Sequence, residues 1–221
     1  MVVSAVFAGF VTAVVITALQ LALLVPLIQE AELYETGALV HFGEAAATAA
    51  EPGVVQDWGR NALTAVANVP TYIAFTLLLV AAYAFAETKG IRVGVREGMA
   101  WGVAGFFVLQ VLPGIGLPPE LPGMYAAELR PRQIWWVSTL ILSAGGIAAL
   151  VFGRSPLIWG LGIVAIAIPH IIGAPQPGSF GGVVPPELAA EFTARSIGVH
   201  GIIWVVMGAL TAWFWNREKA A

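Results

Sequence analysis

Residues 133–173 read QIWWVSTLILSAGGIAALVFGRSPLIWGLGIVAIAIPHIIG, a stretch in which Arg154 is the one Asp, Glu, Lys or Arg. It holds two apolar runs, Gln133–Phe152 and Leu157–Gly173, each near the ~20 residues that a helix needs to cross a bilayer. Further runs of this kind lie at Val3–Ile28, Asn61–Ala86, Glu97–Pro113 and Glu191–Trp215. The runs ending at Pro113 and Gly173 are short, and each meets a proline near its C-terminal end. Over all 221 residues 59% are hydrophobic and 10% charged, against about 25% charged in a soluble domain. Such a chain cannot cover a surface facing water. The sequence predicts an all-α integral membrane protein, one transmembrane domain (1–221) with a bundle of about six spanning helices, five being the alternative count.

The same composition excludes several classes. A net charge of −3 without a basic patch leaves no footing for nucleic acid. The absence of cysteine removes disulfides, thiolate metal sites and cysteine nucleophiles together. No Walker A, GxSxG or HExxH pattern occurs, and the chain reads as a non-enzyme. Lys89 and Lys219 lie outside the runs, which rules out a retinal Schiff base within a helix. The first basic residue is Arg60, so no positive n-region precedes the first run, which reads as a retained helix.

Lys and Arg set the expected orientation. An N-in start places Lys89, Arg92, Arg96, Arg154, Arg217 and Lys219 inside, and Arg60, Arg130, Arg132 and Arg195 outside. Both termini are then cytoplasmic. Most acidic residues fall outside: Glu30, Glu32, Glu35, Glu44, Glu51, Asp57, Glu120, Glu128, Glu187 and Glu191. An internal echo accompanies this pattern. LPPELPGMYAAELRPRQIWW (117–136) parallels VPPELAAEFTARSIGVHGIIW (184–204), and the preceding runs end in LPGIG and IPHIIG. The first run ends comparably in VPLIQ. The expected architecture is three hairpins, 1–86, 97–152 and 157–216, each with a proline near the outer end of its first helix.

Proline removes a backbone donor and disturbs the turn before it. At membrane depth, irregular backbone is tolerated where it is buried in protein or lines a wet cavity. Pro26, Pro113 and Pro169 therefore mark either three loosened helix ends around an outward-facing vestibule or plain helix stops at the interface. His170 follows Pro169 directly. With Glu120, Glu187 and Glu191 it forms the leading candidate ligand set, because imidazole and carboxylate oxygens suit divalent Co, Ni, Zn or Mn. The bland alternatives are a structural histidine and, for Glu191, a helical ion pair with Arg195 four residues on. His200 lies deeper and carries less weight. Glu30, Glu32, Glu35, His41 and Glu44 form an acidic segment able to concentrate cations or simply to be solvated. Gln20, Asn68 and Gln110 are candidate polar lining of a pathway. The small-residue clusters at Gly102–Gly105 and Ser143–Gly146 point to close helix packing.

LPPELPGM, RQIWW, PHIIGAPQP and VPPELAAEF, in that order, together with ALQLALLVPLIQEAELYE near the N-terminus, resemble the predicted cobalt transporter subunits of the CbtA family. The likeness spans nearly the whole chain. It implies a multi-pass protein of a prokaryotic inner membrane that imports Co(II) for cobalamin synthesis. It also implies a small single-span, histidine-rich partner of the CbtB type. The positions matching the family's motifs are Glu120, His170, Pro175, Glu187 and Phe192. Members often carry several histidines in the first outer loop, whereas this chain has His41 alone, which shifts capture there to carboxylates or to the partner. No tightly bound cofactor is expected. The cargo is Co(II), with Ni(II) or another divalent ion as alternatives, and the surroundings are lipid with a homo-oligomer as one option. Two other classes stay open: a haem- or quinone-binding anchor using His170 and His200, and a non-transporting scaffold subunit.

Overall fold

The computed structural model describes residues 2–41 and 57–220, which form helices and their connections with one isolated β-bridge. The helices are α1 (Val2–Leu23), α2 (Val25–Glu35), α3 (Trp58–Thr88), α4 (Val95–Phe106), α5 (Leu112–Gly116), α6 (Leu129–Phe152), α7 (Pro156–Ile172) and α8 (Pro186–Ala220). A π-helical segment, Phe107–Val111, joins α4 to α5. Among the described residues, α1, α3, Val95–Gly116, α6 and α8 are long and apolar enough to cross a membrane. Helix α7 is apolar but has 17 residues, about 25 Å at 1.5 Å per residue, the lower limit for a span. The all-α membrane class holds, with five long helices and a sixth short one.

The helices are apolar on the outside and small or polar where they pack. In α1 the buried residues are Ser4, Ala5, Ala8, Gly9, Thr12, Ala13 and Ile16, while Phe7, Phe10 and Val14 are exposed. This inverts the soluble pattern. Lipid is as apolar as leucine, so helices associate through close backbone approach and interhelical hydrogen bonds. The contacts divide the chain into two compact units. The first holds α1, α3, α4 and α8 from Arg195 onward; the second holds α2 from Ile28, the π segment, α5, α6, α7 and the start of α8. Two of their boundaries, at Leu27–Ile28 and Ala194–Arg195, fall inside α2 and α8.

In the first unit Gly9 lets α1 touch α3, where an added Cβ would sit 2.6 Å from the Ile73 Cα. Thr76 Oγ1 donates to the Ala5 carbonyl at 2.8 Å across the same contact. Gly98 and Gly102 of α4 meet α8 at Gly208 and Trp204, and Tyr83 donates to the Gly208 carbonyl at 3.0 Å. One end of this unit is fastened by polar groups. Glu218 accepts from Ser4, while Glu87 accepts from Lys219 at 2.6 Å and from Trp215 Nε1 at 3.1 Å. In the second unit Gly146 and Gly162 bring α6 and α7 together, each occupying space that a side chain on the other would need.

Two expectations change. The first apolar run does not end at Pro26: α1 breaks at Leu24 and the chain resumes as α2, with Pro26 in the first turn, where a missing N–H is harmless. Glu30, Glu32 and Glu35 therefore ride on a helix and not in a loop, whereas Glu44 and Glu51 lie outside the described residues. The repeated Pro-Pro-Glu-Leu also takes two conformations. Residues 118–121 are non-helical, because Pro122 keeps Leu121 out of the helical region and Gly123 turns at φ +81°. At 185–188 Pro186 instead opens α8, and helix-forming Ala189 and Ala190 follow.

Candidate functional site

His170 lies in the last turn of α7, directly after the buried Pro169. The helix continues through Pro169 and stops at Gly173, whose φ of +87° suits only glycine without strain. The Pro169 carbonyl accepts twice, from the Gly173 N–H at 3.0 Å and from Trp135 Nε1 of α6 at 3.0 Å. The Trp135 indole is buried and meets the His170 ring edge-on, with centroids 5.9 Å apart and planes at 74°. Gly116, at the end of α5, packs beneath the same indole; a Cβ there would lie 2.5 Å from the Trp135 ring. Thus α5 and α7 both pack on Trp135 of α6, with His170 at its ring edge.

His170 Nε2 is buried and has no hydrogen-bond partner among the described residues. Leaving such a group unsatisfied costs about 1–3 kcal/mol. Ser143 Oγ, fully buried two turns further along α6, is unpartnered as well. Asn61 Oδ1 is the other buried side-chain atom in this condition among the described residues, so two of the three belong to the second unit. Proline adds backbone acceptors there. Pro169 withdraws the N–H that the Ala165 carbonyl would accept in a regular helix, and Pro113 does the same to Leu109. The π-helical turn directly before Pro113 is the local adjustment such a loss provokes.

The connections at this end are tied to each other. Tyr125 N–H donates to the Gly181 carbonyl at 3.0 Å and Val183 N–H to the Gly123 carbonyl at 3.2 Å, around the Met124–Gly182 bridge. Thr193 Oγ1 donates to the Pro119 carbonyl at 3.0 Å, and Gln176 reaches the Gly116 carbonyl at 3.3 Å. Gly182 must be bare, since its Cβ would fall 2.6 Å from the Gly123 carbonyl oxygen. An open groove of about 570 Å³ runs along α6 and α7, with Ile134, Leu142, Ile168 and Ile172 in its wall. His170 is not part of that wall, and the apolar lining suits lipid better than a cation.

The carboxylates expected beside His170 are placed otherwise. Glu120 is half-buried and held by Arg132, with Nη2 to Oε2 at 2.6 Å. A charge-assisted bond of this kind competes directly with any cation for the carboxylate. Glu187 and Glu191 are exposed on the first two turns of α8. Glu30 and Glu32 are half-buried on α2, Glu35 is exposed at its end, and His41 is half-buried beyond it. Among the described residues no three or more His, Asp or Glu side chains are grouped as a metal-holding set. The expected set of His170, Glu120, Glu187 and Glu191 is therefore not a preassembled site.

Two of the candidate pathway residues bond to each other. Asn68 of α3 donates to Gln20 at 2.7 Å and to Thr17 at 2.9 Å, so Gln20 and Asn68 form one polar knot within the first unit. Gln110 lies on the π segment of the second unit. His200 is half-buried, its Nδ1 donating to the Ser196 carbonyl one turn earlier at 2.8 Å. Arg195 Nη1 reaches the Leu23 carbonyl at 3.5 Å. Sequence reasoning missed Ser143, Thr17 and the role of Trp135. The period of Trp135, Thr139, Ser143 and Gly146 along α6 was the available signal for the first and third.

A search of curated proteins and a search of solved structures each found no match. The family model for CbtA, described as "Probable cobalt transporter subunit", matches residues 1–216. With an all-helical, membrane-spanning build and a match over nearly its whole length, the chain belongs to the CbtA family of probable cobalt transporter subunits.

Proposed function

We propose that this chain imports a divalent cation, Co(II) first among them, across a prokaryotic inner membrane as part of the supply for cobalamin synthesis. The observation that carries the reading is the buried, unpartnered Nε2 of His170 at a proline-bearing helix end. Neutral imidazole is a good ligand for Co(II) and Ni(II), and the hydroxyls of Thr139 and Ser143 offer oxygen at greater depth in the same unit. One imidazole with oxygen donors makes a weak site, and weakness suits transport, because a cargo must leave as readily as it enters. Carboxylates on α2 and at the start of α8, including Glu30, Glu32, Glu187 and Glu191, raise the local cation concentration at the outer side. The termini are cytoplasmic in this reading. The chain is a passive or partner-driven pathway, not a catalyst, and works with a small histidine-rich single-span subunit.

The test is uptake of labelled Co²⁺ into cells expressing the chain, with and without that partner, beside a His170→Ala variant at equal membrane level. Uptake above background that falls at least about tenfold in the variant, a rise of about 1.4 kcal/mol in the rate-limiting barrier, supports the reading. Uptake that survives unchanged removes His170 from the route. No uptake in any arm, with folded protein in the membrane, points to a scaffold subunit. A parallel Ni²⁺ series sets the metal preference.

A further inference from the structure

We infer that the cation crosses the second unit along the buried face of α6 that carries Trp135, Thr139 and Ser143. This route rests on the transport reading above and adds its path. Four residues of α6 are buried: Trp135, Thr139, Ser143 and Gly146. They recur every three or four positions and so form one stripe down the helix. At a membrane helix contact the middle of such a stripe is commonly a small residue: Gly, Ala, Ser or Thr. Here it is two hydroxyls, both fully buried.

The hydroxyls differ in a telling way. Thr139 Oγ1 donates to the Trp135 carbonyl at 2.8 Å, the usual way a helix satisfies a buried threonine. Ser143 Oγ has no hydrogen-bond partner among the described residues. The stripe therefore begins at one buried unpartnered atom, His170 Nε2 beside Trp135, and continues to another, Ser143 Oγ. Groups in that state are met by water or by a passing ion.

Depth supports a continuous ladder. Trp135 is level with both Pro169 and Gly116, which it touches. Counting from that level at about 1.5 Å per residue, Thr139 and the proline-freed Ala165 carbonyl lie about 6 Å deeper. Gln110 lies about 9 Å deeper and Ser143 about 12 Å deeper. The π segment that carries Gln110 packs on α6. Oxygen-bearing groups thus recur at steps of roughly 3–6 Å below His170, on α6 and on the two elements packed against it, α7 and the π segment. Multi-site oxygen lining of this kind lets a hydrated cation move between sites without tight capture at any one.

The chain has no cysteine, so single thiols can be placed without background. Ser143→Cys and Thr139→Cys would be compared with Ile141→Cys, whose side chain is 67% exposed on the outside of the same helix. Only a hydrated thiol ionises and reacts with a membrane-impermeant thiosulfonate cation. The expected result is modification of Ser143→Cys and Thr139→Cys at least about tenfold faster than Ile141→Cys, slowed by millimolar Co²⁺. Two thiols are used so that a folding defect in one variant leaves the other to decide. Rates equal to the Ile141→Cys rate at both positions would overturn the path, even where Co²⁺ uptake by the unmodified chain is robust. Fast modification without Co²⁺ protection or uptake would keep a hydrated path and sink the cobalt reading.

Discussion

Replacing His170 by Phe separates a working imidazole from a structural one. The substitution removes Nε2, a buried atom with no partner whose desolvation costs about 1–3 kcal/mol. It keeps an aromatic ring edge-on to Trp135, a contact worth about 0.5–1.5 kcal/mol in either form. The larger phenyl ring must be accommodated, at about 1 kcal/mol in a packed site. The balance is a folded state more stable by about 1 kcal/mol, a roughly fivefold shift in the unfolding equilibrium. Reversible unfolding in mixed micelles, followed by tryptophan fluorescence, reads that shift, and Co²⁺ uptake is measured on the same variant. The expected pair is stability kept or raised with uptake lost, the signature of a group retained for function at a cost to the fold. Destabilisation by more than about 1 kcal/mol would show that the imidazole makes a bond that the fold needs, and the reasoning would fail.

Glu120→Gln removes the charge from a pair with Arg132 and should cost about 1 kcal/mol while leaving Co²⁺ uptake within twofold. A large loss of uptake at unchanged stability would put Glu120 back on the route. Asn68→Leu deletes both bonds to Gln20 and Thr17; at about 0.6 kcal/mol per interhelical bond it should destabilise by about 1 kcal/mol, read by the same unfolding assay. Gly102→Leu drives a side chain into the Trp204 backbone and should prevent accumulation of folded protein, visible as loss of the monodisperse peak on size exclusion in detergent. Thr76→Val is nearly isosteric and should cost only about 0.6 kcal/mol, so a much larger effect would contradict lipid-like packing of α1 on α3.

The sequence by itself determined the class of molecule. Runs such as 133–173 with a single charged residue leave helices in lipid as the one way to satisfy their backbone, and no tertiary contact is needed to see it. The packing glycines near 102 and 146 were legible for the same reason, since small residues in apolar runs have few other uses. Local chemistry around prolines was read only in part. The two Pro-Pro-Glu-Leu stretches share every residue, yet Pro122 after one and Ala189 after the other send them to different conformations. What tertiary structure decided was partnership. That Arg132 takes Glu120, that Asn68 takes Gln20, and that nothing takes His170 Nε2 or Ser143 Oγ depends on which helix faces which, to within a few ångströms. Sequence spacing fixes a residue's place around its own helix axis but not the identity of its neighbour. The engagement of Glu120 by Arg132 and the alignment of the buried α6 residues into one stripe both came from tertiary structure.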